Sequence, residues 1–156
     1  DQALAGLKKF RADEGLVLRN DLLERIQYIE NHLRDVGPYE APRLERIKER
    51  LRKNMEEFVT NQQVDQNRYE QEILYYIEKL DINEEKVRLG QHCVYFRKEL
   101  DGNDPQKGRK LSFIAQEIGR EINTIGAKAQ DPEIQQLVVM MKDELEKIKE
   151  QLANIL

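Results

Sequence analysis

The chain has 156 residues, enough for one domain with its own core or for an elongated helical assembly. A charged fraction of 36%, an aromatic fraction of 6% and the lack of Trp are typical of long helices with narrow apolar seams. The net charge of −4 excludes a uniformly basic nucleic-acid binder but not a local basic patch, and the single cysteine excludes an internal disulfide and fits a reducing compartment.

Apolar residues recur every three or four positions in two successive seams, over 4–36 and 44–58, and each seam predicts a helix. Between them, "VGPYEAP" predicts a tight turn, because Pro38 and Pro42 prevent a helix from continuing. Residues 1–66 are therefore predicted to form a long antiparallel helical hairpin, which would be an arm of its own. The chain begins without Met and already in helical register, so we expect a fragment that an N-terminal partner domain precedes.

The remaining residues, 67–156, are predicted to form a bundle of three to four helices, because their apolar stripes have helical and not strand spacing. The stripes predict helices over 67–79, 81–100, 111–129 and 132–156, of which the first two could equally be one continuous helix. Asp81 and the Asp131-Pro132 dipeptide are start signals. The segment "DGNDPQKGRK" (101–110) predicts a flexible loop. The predicted fold class is all-α, without a segment long and apolar enough to span a membrane.

Five polar residues share one face of the predicted helix that follows position 80. They are Asp81, Glu84, Glu85, Arg88 and His92. Carboxylates with one imidazole suit Mg²⁺ or Mn²⁺ better than structural zinc. The stripe covers about 16 Å along a helix axis, so a second element must complete any metal site. From the pattern alone, a solvated face with a capping box and a charge ladder is the favoured interpretation.

A second polar face lies on the next predicted helix. Its members are Gln116, Glu117, Arg120, Glu121, Asn123, Thr124 and Lys128. An Asn-Thr pair is unusual inside a helix that faces only water, and the mixture of donors and acceptors is typical of a polar cleft. The basic residues of 107–110 could bind phosphate. An ordinary surface is nevertheless favoured while only the pattern is considered.

The stretch "GRKLSFIAQEIGREINTIGAKAQDPEI" (108–134) resembles the C-terminal signature of the YicC-type (YloC-like) bacterial endoribonucleases. The matching positions are Gly108, Arg109, Leu111, Phe113, Gln116, Glu117, Arg120, Glu121, Asn123, Thr124 and Lys128. Upstream, "RYEQEILYYIEKLDINEEKVRLGQH" resembles a second family stretch. It is matched at Arg68, Glu72, Lys79, Asp81, Ile82, Glu84, Glu85, Arg88, Leu89 and His92. The segment "FRADEG" resembles a third, R-x-x-E-G.

This resemblance implies a cytoplasmic, homo-oligomeric endoribonuclease that cleaves single-stranded or structured RNA internally and depends on a divalent cation, Mg²⁺ or Mn²⁺. It also implies that the family's N-terminal α/β domain is absent from this sequence. The implied partners are RNA, other copies of the chain and other RNA-decay enzymes, with no membrane and no small-molecule cofactor. Matching identities at so many exposed positions favour a functional surface over a merely solvated one.

We expect the two polar faces to approach each other across a cleft. The catalytic candidates are Glu85, His92, Glu117 and Glu121. The metal-binding candidates are Asp81, Glu84, Glu85 and Glu121. The RNA-binding candidates are Arg68, Arg88, Arg109, Lys110, Arg120, Asn123, Thr124 and Lys128. Two alternatives stay open, namely a non-catalytic RNA-binding and oligomerisation module that acts as an adaptor in RNA decay, and a purely structural set of salt bridges between helices.

Overall fold

The computed structural model describes residues 2–59 and 66–155, and these two ranges contain five helices. They are α1 (Gln2–Val59), α2 (Gln66–Leu80), α3 (Asn83–Asp101), α4 (Lys107–Ala129) and α5 (Pro132–Ile155). No strand occurs in the two ranges, so the predicted all-α class is confirmed, although the middle of α1 and not α2 completes the bundle with α3, α4 and α5. None of the described helices combines the length and the apolar character that a membrane crossing requires.

Residues 2–59 do not form the predicted hairpin, because α1 is a single helix of 58 residues. At a rise of 1.5 Å per residue it is about 87 Å long. Pro38 and Pro42 lie inside α1, both on its exposed side. Each proline lacks the amide that would bond to the carbonyl four residues earlier. On the exposed side, water can bind the carbonyls that are left without a partner, so the helix continues.

The opposite side of α1 keeps one seam of buried and half-buried positions at alternating spacings of four and three. These positions are Leu22, Ile26, Ile29, Leu33, Val36, Glu40, Arg43 and Ile47. Contacts hold α1 on both sides of the prolines: Glu30 pairs with Arg97 of α3, and Arg43 bonds to the end of α4. Packing along this seam outweighs a cost of about 3 kcal/mol for a proline inside a helix.

The core lies where the middle of α1 meets α3, α4 and α5, with Phe96, Ile118 and Ile148 among its fully buried side chains. Helix α4 packs against both α3 and α5. Its approach to α5 is close, since a Cβ atom at Gly119 would lie 3.0 Å from Leu145 Cδ2. The predicted division into an arm and a C-terminal domain falls beside residues 60–65, which lie outside the described residues, and stays a prediction.

The single cysteine, Cys93, belongs to this core. Burial raises the pKa of its thiol to about 12. At neutral pH the side chain is therefore a protonated thiol that packs as a small apolar group, as its position on the apolar stripe of α3 predicts.

An Asp-Pro dipeptide lies in the connection on each side of α4, as Asp104-Pro105 before α4 and as Asp131-Pro132 before α5. Asp131 Oδ2 accepts the amide of Ile134 at 2.9 Å, so the predicted cap of α5 is confirmed. Asp104 Oδ1 accepts the amide of Gln106 at 2.8 Å, and α4 begins at Lys107. The predicted flexible loop over 101–110 is therefore too long, because its last four residues form the first turn of α4.

Replacing Asp131 by Ala should lower the free energy of unfolding by about 1–2 kcal/mol, because the amide of Ile134 would lose its acceptor. Asp131→Asn keeps an acceptor and should cost clearly less. Urea denaturation of both variants measures the difference. Asp131 also pairs with Arg46 and is itself buried, so the matched control is Arg52→Ala, which removes only an exposed ion pair with Glu49 and should change the free energy of unfolding by no more than about 0.5 kcal/mol. Equal losses in Asp131→Ala and Asp131→Asn would contradict the capping role.

Candidate functional site

Two ion pairs join the polar faces of α3 and α4. Lys128 Nζ lies 2.6 Å from Glu85 Oε1, and Arg88 Nε lies 3.3 Å from Glu121 Oε1. The two faces therefore approach each other, as the sequence predicts. We refer to Glu85, Arg88, Glu121 and Lys128 as the α3–α4 charge cluster.

The carboxylates of the charge cluster are its buried members. The side chains of Glu85 and Glu121 are only 4% and 8% exposed, whereas those of Arg88 and Lys128 are at least a third exposed. A carboxylate at this depth requires a cation or hydrogen-bond donors, because removal from water penalises its charge. Glu85 Oε2 is buried and accepts no hydrogen bond from any residue that the structure describes. One buried acceptor of the cluster thus has no donor among the described residues.

The register of the two ion pairs shows how α3 and α4 are aligned. Glu85 pairs further along α4 than Arg88 does, so the helices are antiparallel, as the short connection over 102–106 requires. One turn beyond Arg88 on α3 is His92, and one turn before Glu121 on α4 is Glu117. The register therefore places His92 opposite Glu117. Both side chains are half-buried, and within the described ranges neither has an ion-pair or hydrogen-bond partner.

The four predicted metal ligands are not gathered in one place. The Asp81 carboxylate accepts the amide of Asn83 at 3.0 Å just before α3, whose N-cap is Ile82, one residue later than the start signal predicts. Glu84 is exposed and accepts a hydrogen bond from Arg88 at 2.9 Å. Among the residues that the structure describes, no three His, Cys, Asp or Glu side chains could hold a metal ion together. The described residues therefore do not fit a divalent-cation site whose ligands they would all have to supply.

The predicted RNA-binding residues fall into separate groups. Arg88 and Lys128 belong to the charge cluster, whereas Arg109, Arg120 and Asn123 lie on the exposed face of α4. The hydroxyl of Thr124, on the same helix, donates to the carbonyl of Arg120 at 3.0 Å, which is an interaction within α4.

Two further RNA-binding candidates lie away from the cluster. Lys110 pairs with Asp104 at the start of α4, and their hydrogen bond raises the pKa of Lys110 and lowers that of Asp104. Arg68 is exposed near the beginning of α2, about 18 Å along the helix axis from Leu80. Neither side chain contributes to the α3–α4 charge cluster within this chain.

Arg43 is a buried residue of α1 that the sequence analysis missed. Its Nε donates to the carbonyl of Ala129 at 2.5 Å, and its second terminal nitrogen donates to the carbonyls of Lys128, at 2.9 Å, and Leu80. These carbonyls end α4 and α2, where backbone acceptors lack intrahelical partners and the helix dipole is negative. Burial lowers the pKa of the guanidinium, but arginine stays protonated in proteins. The sequence did contain a signal for this residue: an arginine, seven positions after Val36, occupies a position of the otherwise mainly apolar seam.

Arg43 also orients the charge cluster. It donates to the backbone carbonyl of Lys128. It also donates to the carbonyl of Leu80, the residue that directly precedes Asp81. The carbonyl of Asp81 in turn accepts a hydrogen bond from Lys128 Nζ at 3.3 Å. The position of the lysine ammonium beside Glu85 therefore depends on a guanidinium from a third helix.

Residues 36–156 match the family described as endoribonuclease YicC-like, C-terminal. Two curated relatives carry the name probable endoribonuclease YicC. The protein from Clostridioides difficile is 37% identical over 156 residues, and the protein from Haemophilus influenzae is 30% identical over 155 residues. Each alignment covers 99% of this chain and 53% of the relative. The chain thus spans about half the length of the curated relatives that it matches.

Replacing Arg43 by Ala should lower the free energy of unfolding by about 2–4 kcal/mol, because three carbonyls at buried helix ends would lose their donor. Arg43→Lys keeps the charge but not the forked geometry, so its loss should be intermediate. Chemical denaturation measures both. Arg50→Ala is the matched control, because Arg50 binds Gln130 Oε1 at 2.6 Å on the surface and should contribute little. Wild-type stability of Arg43→Ala would contradict the assigned role.

Proposed function

The chain belongs to the YicC-like endoribonuclease family, and we propose that its α3–α4 surface is part of the site at which the full-length protein cleaves RNA internally. One observation carries this proposal. Charged residues from the two long stretches that resemble the family pair with each other across α3 and α4, and two of the paired carboxylates are buried. A surface that only faces water needs no such buried pairs.

The proposed chemistry assigns different tasks to two parts of this surface. The charge cluster is the closed part, because its side chains pair with each other, and His92 with Glu117 is the open part, because neither has a partner among the described residues. Glu85 and Glu121 hold Lys128 and Arg88 in position, and the cations, with Arg120, stabilise the negative charge of the phosphate. At the open level, His92 and Glu117 transfer protons. One takes the proton of the attacking hydroxyl, whose oxygen forms a bond to phosphorus. The P–O bond to the leaving oxygen breaks, and the other group protonates that oxygen.

The dependence on Mg²⁺ or Mn²⁺ is a proposal that rests on the resemblance. Mg²⁺ often binds one or two protein carboxylates together with phosphates of the substrate. RNA, or protein outside the described residues, would have to supply the remaining ligands. A cytoplasmic location, homo-oligomeric assembly and contacts with other RNA-decay enzymes are proposed on the same basis.

The second candidate function is a non-catalytic RNA-binding and oligomerisation module that acts as an adaptor in RNA decay. One observation favours it: both carboxylates of the charge cluster already have a cationic partner, and the described residues include no group of three metal ligands. The two candidates differ in what happens when the pairs are removed without loss of the fold.

Replacing Glu85 and Lys128 together by Met should abolish RNA cleavage by the full-length protein, because the phosphate would lose a positioned cation. The free energy of unfolding should stay within about 2 kcal/mol of wild type, since a buried ion pair replaced by apolar side chains is often neutral. A labelled RNA, incubated with and without EDTA, measures cleavage.

The matched control for this variant is Arg25→Met with Glu144→Met, which removes a partly buried ion pair of 3.1 Å between α1 and α5. The control should cleave RNA at the wild-type rate. Cleavage at that rate by the Glu85→Met/Lys128→Met variant would make its ion pair structural and reject the proposal. RNA binding by wild type without any cleavage would favour the adaptor.

His92→Asn and Glu117→Gln should each lower the cleavage rate by roughly 10²- to 10⁴-fold at unchanged RNA affinity, as expected for proton-transfer groups. Single-turnover cleavage and equilibrium binding separate the two quantities. A loss of affinity with a normal rate constant at saturating protein would show that these side chains bind RNA and do not transfer protons.

A further inference from the structure

We propose that Phe113 is a base-stacking residue that gives the α4 surface a preference for single-stranded over duplex RNA. The inference rests on the proposed function, in which RNA is the ligand. Phe113 is 63% exposed although the other large apolar residues of α4 lie on its core side, which has six buried apolar positions. A phenyl ring on the polar side gains nothing from the core, so its face stays open to a partner.

The surroundings of Phe113 are basic and polar. The exposed face of α4 carries residues at spacings of four, three, four and three, namely Arg109, Phe113, Gln116, Arg120 and Asn123. Arg109 lies one turn before the ring, about 6 Å along the axis, and Arg120 lies two turns after it, about 10.5 Å away. Within the described part of the chain neither guanidinium has an ion-pair partner, whereas Arg25, Arg88 and Arg97 all do.

A second exposed ring lies at the same level of the bundle. Tyr95 follows Arg88 by two turns on α3, and Ile114 precedes Glu121 by two turns on α4, so the antiparallel register brings Tyr95 level with Phe113. Tyr95 is 55% exposed. Two rings beside free guanidinium groups are the combination with which proteins bind single strands, because bases stack on the rings while the cations bind phosphates.

The same face fits other partners less well. Bases in a duplex are stacked inside the helix and offer no face to a protein ring, so a duplex would use only the arginines. The centre of a protein–protein interface is depleted of charge and built from contiguous apolar side chains. On this face of α4, Phe113 is the only large apolar residue among arginine and amide side chains. The exposed ring together with the two unpaired arginines therefore favours a single-stranded RNA.

The test measures binding by the full-length protein to three fluorescent probes of equal length. They are single-stranded oligoadenylate, an abasic strand with the same phosphates, and a duplex. Titrations at low temperature in EDTA, with a gel to verify that each probe is intact, separate binding from cleavage. Phe113→Ala and Phe113→Leu should weaken oligoadenylate binding about tenfold and leave the other two probes unchanged, whereas Phe113→Tyr should retain wild-type affinity. A 2-aminopurine in the single strand should be quenched by wild type and less by Phe113→Leu.

Two sets of control variants separate stacking from charge. Arg109→Ala and Arg120→Ala should weaken binding to all three probes and each reduce the salt slope by about 1. Val139→Ala removes a similarly exposed apolar side chain from α5 and should change nothing.

Two binding results for Phe113→Ala would overturn the proposal: wild-type affinity for oligoadenylate, or equal weakening for all three probes. A molar mass of Phe113→Ala that differs from wild type by light scattering would also overturn it, because the ring would then belong to a protein interface. If wild type binds the single strand with this pattern but cleaves no RNA, the proposed function fails and stacking stands. If cleavage persists and Phe113→Ala binds normally, only stacking fails.

Discussion

The guanidinium of Arg43 is the interaction on which the arrangement of the polar surface depends. It joins the carboxyl-terminal ends of α2 and α4 to the middle of α1 through three carbonyls. Helix ends carry unpaired acceptors and partial negative charge, so one buried cation stabilises two of them at once. Because Lys128 and the segment before Asp81 lie at these ends, the cation of α1 also determines where the residues of α3 and α4 meet.

The α3–α4 surface has two levels along the helix axes, namely the charge cluster and the pair of positions His92 and Glu117. At the first, buried carboxylates hold partly exposed cations and keep the helices in register. At the second, one turn away, the register places His92 level with Glu117, and neither has an ion-pair or hydrogen-bond partner in the described part of the chain. An arrangement with fixed cations beside unpaired titratable groups suits proton transfer at a bound phosphate. An adaptor would use the same four charges to bind RNA and would need no proton transfer at His92 and Glu117.

Local signals in the sequence predicted those features that depend on nearby residues. Helical periodicity identified α2–α5, the cap at Asp131 and the facing polar stripes of α3 and α4. The predicted turn at 36–42 was wrong because proline rules apply to an isolated helix, whereas the seam through Val36, Arg43 and Ile47 packs on both sides of the prolines. The start of α4 was missed although Asp104-Pro105 repeats the signal of Asp131-Pro132. Arg43 was missed because its partners lie about 40 and 85 residues away in the chain.

The continuity of α1 has a mechanical consequence. The part of α1 before Leu18 extends beyond the core, with every described side chain exposed, yet it belongs to the same helix as the buried seam. This part is about 24 Å long. Because it continues the same helix, its direction is determined by the packing of residues 22–47. A tilt of about 5° at the seam would move the far end by roughly 2 Å. Small adjustments beside Arg43 and the charge cluster are thereby converted into larger displacements at the opposite end of the molecule.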